Sequence, residues 1–197
     1  MNKQNEMIRK SLHQMKEYLN LYKYKMVLKT IDYNSFLSTQ VSIKVLYETK
    51  ELRDDMPKIY LYYCFNSFNK STIEKIIEGA TLNTKDILLI ITTDYSSTIN
   101  DLLRSKYSQF YINLYKIQQL QYNILEHSFV PQHIKLNDTE KMELYKKYNI
   151  LNDKQLPQIS RFDPVACAIF LRPGEVCKII RHDKISLQND FYRICVG

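Results

Sequence analysis

The sequence predicts an α/β domain followed by a smaller α+β domain, and three observations carry that expectation. Strand-like and helix-like segments alternate over residues 58–115, the pattern of a mostly parallel sheet covered by helices, because each parallel pair needs a crossover. Within that stretch, residues 87–91 form an unbroken Ile/Leu run, as a strand buried on both faces requires. Later the order changes. A helix start at Asp163-Pro164 is followed by two runs rich in β-branched and aromatic residues, 175–181 and 191–196, which read as strands.

In chain order, Ile8, Leu12, Met15 and Leu19 recur at the spacing of one helix face. Residues 24–36 read as a second helix or helix–turn. Val41, Ile43, Val45 and Tyr47 alternate as in a strand, and Asp54, Asp55 and Pro57 break that pattern into a loop. The strand over 58–65 sets Ile59, Leu61, Tyr63 and Phe65 on one side, with Tyr60 and Tyr62 covering the sheet on the other. Ser71 to Glu74 reads as a capping box opening a helix that turns Ile73, Ile76 and Ile77 inward and stops at Gly79. A strand over 86–93, a helix over 97–106 with Ile99, Leu102 and Leu103 inward, and a third strand over 109–115 complete the alternation.

Asn137 caps the next helix, with Glu140 three residues on, and Met142, Leu144, Tyr145 and Tyr148 supply its apolar surface. At Asp163 the carboxylate can accept from the first-turn amides, while Pro164 loses no hydrogen bond at the first helical position. Pro173-Gly174 is a turn.

Composition narrows the function classes. Hydrophobic residues make up 45% of the 197 residues, enough for a packed core. Cys64, Cys167, Cys177 and Cys195 show no Cys-x-x-Cys pair and no His at ligand spacing, so reduced thiols in an intracellular protein are expected rather than a zinc site or disulfides. No apolar run approaches a membrane span, and the charged N-terminus lacks the apolar region of a secretory signal. The net charge of +7 is concentrated in the first thirty residues, through Lys3, Arg9, Lys10, Lys16, Lys23, Lys25 and Lys29. Such a run is more often a solvated helix face than a nucleic-acid surface. Tight DNA binders neutralise about 6–10 phosphates, so the chain alone is expected to bind DNA weakly.

The C-terminal motifs resemble one family. Leu156, Pro157 and Ile159, then Asp163, Pro164, Val165 and Ala166, then Arg172, Gly174, Val176, Lys178, Ile179 and Arg181, and last Tyr192, Arg193 and Val196 match its motifs in order and spacing. It is the fifth subunit shared by the eukaryotic nuclear RNA polymerases I, II and III, a family that includes the shorter archaeal counterpart. Asn123, Glu126, His127, Val130, Pro131, His133 and Ile134 match a further stretch of it. The resemblance implies an N-terminal domain over 1–130 with a restriction-endonuclease-like three-layer α/β fold, forming part of the jaw beside downstream DNA. It also implies a small α+β assembly domain over 131–197 that docks on the largest polymerase subunit, within a complex of other polymerase subunits.

The residues this implies for docking are Leu156, Pro157, Ile159, Asp163, Pro164, Lys178, Arg181, Tyr192 and Arg193. The loop at Ser96, Ser97 and Thr98 is implied to lie near DNA, although the family's Pro is missing there. No catalytic residue, metal or cofactor is implied, and the chemistry belongs to the large subunits. Cys167 to Phe170 and Asp183 to Leu187 depart from the family's Arg-Tyr-x-Gly and Ser-Glu-Thr-Ala-Gly stretches, which implies a changed partner surface. With few Gly and many Lys, Asn, Ile and Tyr, these departures point to a divergent lineage with an AT-rich genome, such as a large DNA virus. The location implied is nuclear if the protein is cellular, and host cytoplasm or virion if viral.

The rival from another class is a stand-alone nucleic-acid-binding protein or magnesium-dependent nuclease. Asp32 with Glu48-Thr49-Lys50 fits the endonuclease pattern in which carboxylates hold magnesium at a scissile phosphate, but such triplets arise readily by chance in a Lys- and Glu-rich chain. His127 and His133 flank Pro131 with no carboxylate or Cys to complete a metal site.

Overall fold

The computed structural model describes residues 3–21, 45–47, 59–65, 68–80, 82–84, 86–183 and 187–197. They form two compact units, Met1–Tyr122 and Asn123–Gly197. The expected helix over 24–36, Val41, Ile43, the loop at Asp54, Asp55 and Pro57, and the residues Asp32 and Glu48 to Lys50 lie outside the described residues.

The first unit contains α1 (Lys3–Leu21), β1 (Val45–Tyr47), β2 (Ile59–Cys64), α2 (Lys70–Ala80), β3 (Ile87–Thr92), α3 (Ser97–Ser105) and β4 (Tyr111–Lys116), closed by a 3-10 turn over Ile117–Leu120. The sheet order is β1-β2-β3-β4, with β2, β3 and β4 parallel and β1 antiparallel at the edge. This is the α/β alternation that the sequence predicts. All of β3 is buried, and each large aliphatic side chain removed from water there contributes about 1.5–3 kcal/mol. Tyr60 and Tyr62 are buried as well as Leu61 and Tyr63, so β2 is covered on both faces. α1 buries Ile8, Leu12, Met15 and Leu19 as its spacing predicts, and Ser11 on the same stripe shares a 2.9 Å hydrogen bond with the Tyr63 hydroxyl.

Two helix ends differ from expectation. α2 is capped by Asn69, whose Oδ1 accepts from the Thr72 amide and hydroxyl, both at 3.0 Å. The expected box at Ser71 does not form: the helix already begins at Lys70, so Ser71 lies inside its first turn, and Glu74 pairs with Lys106 at 2.8 Å. The helix continues through Gly79 to Ala80.

The second unit begins at Asn123, ahead of the boundary expected near Val130. Asn123 Oδ1 accepts from the Leu125 amide and so caps a 3-10 turn over Ile124–Glu126. Then come β5 (Gln132–Lys135), α4 (Asp138–Lys147), a 3-10 turn over Asp153–Gln155, β6 (Gln158–Ser160), α5 (Pro164–Ala168), β7 (Val176–Asp183) and β8 (Leu187–Val196). The sheet order is β5-β7-β8-β6; β8 is antiparallel to β7 and parallel to β6. β7 and β8 extend the two expected strand runs into a long hairpin, while β5 and β6 are strands the sequence pattern does not announce.

The Asn137–Glu140 box forms as expected, with each side chain accepting from the other's backbone amide at 2.9 and 2.8 Å. The apolar surface of α4 is narrower than expected. Leu144 is buried and Tyr145 half-buried, but Met142 and Tyr148 are exposed. Met142 lies two residues from Leu144, roughly 200° around a helix of 3.6 residues per turn, so it points away from the buried stripe.

Candidate functional site

The nine residues implied for docking all fall in the second unit, and the register of β7 and β8 divides them. Side chains alternate between faces along a strand, and paired residues share a face. Lys178 pairs with Tyr192, placing both with Val176 and Ile194. On this face Leu144, Leu156, Val176 and Ile194 form a buried cluster, with Tyr145 and Tyr192 packed against it. It is the face under α4. Arg193 pairs with Cys177 and Phe191 with Ile179, while Arg181 pairs with Asn189. These residues share the opposite face, under α5. There Cys195 Sγ lies 3.7 Å from the Leu171 carbonyl and Lys135 Nζ donates to the Phe170 carbonyl at 3.5 Å. Ile159 pairs with Cys195 and belongs to that face too.

Burial separates roles further. Leu156 and Ile159 are core residues, and Arg161 between the strand and helix is also buried. Asp163 is the cap the sequence predicts: its Oδ1 accepts from the amides of Val165 and Ala166 at 2.9 and 3.2 Å, with Pro164 at the first helical position. Pro157 and Pro164 are exposed. Lys178 closes a 2.7 Å ion pair with Asp190, which holds the Asp190 carboxyl below and the lysine above their ordinary values. Tyr192 meets the ring of Tyr148 at 6.1 Å.

The exposed part of the α5 face carries two arginines on one ring. The guanidinium carbons of Arg181 and Arg193 stand 4.4 and 5.6 Å from the Phe191 centroid. Arg193 Nη1 donates to the Gln158 carbonyl at 3.2 Å, and its covered Nε has no hydrogen-bond partner. His133, paired with Ile179, joins the same face. Burial holds its imidazole below the ordinary value, Arg181 and Arg193 push the same way, and the Pro131 carbonyl and Asp163 oppose them. Sequence reading takes His133 as a motif position and as half of an incomplete metal pair with His127, and Phe191 only as the start of a strand run. Two-residue alternation along 189–193 is the signal that places Phe191 with Arg193.

In the first unit, Ser96 caps α3, its Oγ accepting from the Thr98 amide at 3.3 Å and sharing a 2.9 Å bond with the Thr98 hydroxyl. The loop follows β3, beside Asp94, whose carboxyl is held low by its bond from Lys116 at the end of β4. A cleft of about 510 Å³ opens beside α1, lined by Arg9, Lys10, His13 and Lys16 among others. Lys10 is paired with Glu6 at 3.0 Å. Among the described residues no group of His, Cys, Asp and Glu could hold a metal ion, and no helix is long and apolar enough to cross a membrane.

Residues 122–195 match the family model described as RNA polymerase Rpb5, C-terminal domain. Over 76 residues the chain is 41% identical to DNA-directed RNA polymerase subunit Rpo5 of Thermococcus kodakarensis, covering 39% of this chain and 92% of that protein. The chain belongs to the Rpb5 family. Its Rpb5 relatives include DNA-directed RNA polymerases IV and V subunit 5B of Arabidopsis thaliana, 32% identical over 145 residues, which are 73% of this chain and 66% of that one. Another is RPABC1 of DNA-directed RNA polymerases I, II and III from Caenorhabditis elegans, 32% identical over 114 residues, 58% of this chain and 54% of that one. The chain thus matches about half to two thirds of the length of these two Rpb5 relatives. The Rpb5 C-terminal match runs almost coextensively with the second compact unit, and so contains both faces described above.

Proposed function

We propose that this protein is a non-catalytic subunit of a multisubunit DNA-directed RNA polymerase. Its C-terminal unit docks on the largest subunit, and its N-terminal unit forms part of the jaw, with Ser96, Ser97 and Thr98 near downstream DNA. Nucleotide addition belongs to other subunits. The observation that carries this reading is the coincidence of the family match, 122–195, with a compact unit, Asn123–Gly197. The Thermococcus kodakarensis polymerase subunit is matched over 92% of its own length by 39% of this chain, which supports reading one part of this protein as a polymerase module.

Energetics supports the docking role. A unit this small has a marginal core of its own, and a partner that binds only the folded form stabilises it by mass action. A stable subunit interface buries roughly 1,200–2,000 Å² or more, a large share of such a surface. The weakly basic α1 cleft suits a DNA contact made inside a complex better than unaided binding. The working location is the nucleus for a cellular protein, and host cytoplasm or virion for a viral one.

Purification of the tagged full chain from its native cells, with mass spectrometry of what accompanies it, tests the proposal. Recovery of the largest polymerase subunit in a stable complex is expected. A monomer that brings no polymerase subunit, yet cleaves DNA with magnesium, would favour the nuclease rival.

A further inference from the structure

We propose that Arg181, Phe191 and Arg193 form a clamp for a carboxylate-bearing segment of the protein on which the C-terminal unit docks. This rests on the docking reading above and names the chemistry of one part of that surface.

The argument begins with unanswered charge. The ion pairs Lys135–Glu175, Lys141–Asp153 and Lys178–Asp190 satisfy lysines of the second unit at 2.7, 3.7 and 2.7 Å. Arg181 and Arg193 have no such carboxylate among the described residues. A guanidinium carries five N–H donors. Of these, Arg193 gives one to the Gln158 carbonyl and leaves Nε covered without a partner. Asp163, the nearby acid that acts on His133, already accepts from two backbone amides.

Geometry then selects the ligand. Phe191 stands diagonal to Arg181 across the hairpin and two residues from Arg193 along β8, all on one face. Both guanidiniums lie over its ring, at 4.4 and 5.6 Å. Stacking orients a guanidinium while leaving its in-plane N–H fork available, and that fork matches a carboxylate bidentately. An arginine already held on a ring loses less freedom on binding than a free one. A nucleic-acid backbone is the poorer fit, because tracking phosphates takes about 6–10 cationic contacts, and among the described residues this face offers two arginines outside any ion pair, Lys135 being held by Glu175. An Asp or Glu side chain needs one fork for its carboxylate, and its methylenes can lie against the ring.

The test uses the full chain recovered with its polymerase. Two variants are compared with the wild type: Arg181→Glu with Arg193→Glu, and Arg181→Lys with Arg193→Lys. Circular dichroism of each establishes that the second unit is folded. The charge-reversed pair is expected to retain polymerase at least about ten-fold less well under the same salt wash, since breaking a desolvated arginine–carboxylate contact is costly. The lysine pair supplies amines at the same two positions. Zero-length carbodiimide coupling is expected to join position 181 or 193 to an Asp or Glu of the partner. Three outcomes overturn the clamp: folded charge-reversed protein retained as well as wild type, coupling absent from both positions, or loss of DNA binding with polymerase retention intact. If the wild type itself brings no polymerase, the docking reading falls and the clamp falls with it. Wild-type retention with an indifferent charge-reversed pair removes the clamp alone.

Discussion

Lys178 and Asp190 are diagonal neighbours on β7 and β8, joined at 2.7 Å on the α4 face, away from the two arginines. Their bond holds the Asp190 carboxyl below its ordinary value and lifts the Lys178 ammonium above its own. The depressed aspartate contributes stability above its unfolded value, near about 3.9, and loses it as pH falls through the lower folded value. The raised lysine contributes below its unfolded value, near about 10.4, and loses it as pH climbs through the higher folded one. Between those limits the pair is intact. Melting temperature measured against pH is expected to bend at both ends in wild type and less at both ends in Lys178→Met. Identical curves would show that the pair is not coupled to folding.

Asp163 is a second place where a local contact sets a measurable cost. Its Oδ1 serves two amides of α5, and losing such a cap costs about 0.5–2 kcal/mol. Asp163→Ala is therefore expected to lower the melting temperature of the second unit by several degrees, since 1 kcal/mol is about 4–8 °C for a domain of this size. Asp163→Asn keeps a side-chain acceptor at a position where Asn caps as well as Asp, and is expected to melt close to wild type. Equal loss in both variants would show that the charge, not the cap, matters here.

Those caps are legible in the sequence because they are local. Asp163-Pro164 and Asn137 with Glu140 announce helix starts within four residues, and both form as read. The Ile/Leu run of β3 is legible because a strand covered on both faces needs no alternation. The cap of α2 is misread although its signal is local: Asn69 is itself a preferred capping residue and serves Thr72 three residues on, while the Ser71–Glu74 spacing imitates a capping box two residues later. The division of the docking residues between two faces depends on which residue of β7 stands opposite which of β8. Alternation along each strand already parts Lys178 from Arg181 and Tyr192 from Arg193; only register joins the first and third on the α4 face and the others on the α5 face. β6 gives no signal because three residues are too few for a period, and its partner β8 lies over thirty residues on.

Ile179 shows why burial must decide how docking is tested. It is 2% exposed, and Leu156 is 8% exposed. A carboxylate at either position enters the core without a partner, among the largest destabilising changes a small domain can meet. Ile179→Asp and Leu156→Asp are expected to unfold the second unit and to lose any polymerase with it. Ile179→Val, which removes one methylene, is expected to cost about 0.5–1.5 kcal/mol and to leave the fold intact. Chemical denaturation followed by circular dichroism checks each. A folded Ile179→Asp protein would mean that this position is not sealed from water.

The thiols give the last test, one that reads the core of the second unit without altering it. Burial pushes Cys167 and Cys195 up to about 12 and Cys177 up to about 11, whereas an ordinary cysteine lies near about 8.5. The thiolate is the nucleophile, so at mildly alkaline pH almost none of these three is reactive, and each is also covered by side chains. Cys64 at the end of β2 is only partly buried. Maleimide added to the native protein is therefore expected to label Cys64 first, and the other three at the slow rate of local opening. All four should react quickly in denaturant. Since exchange through opening tracks stability, Asp163→Ala should speed the slow phase at Cys167, Cys177 and Cys195 while leaving Cys64 unchanged, because Cys64 belongs to the other unit. Fast native labelling of all four would show that α5 does not seal the Cys177–Cys195 face, and the separation between core and docking residues drawn from burial would have to be abandoned.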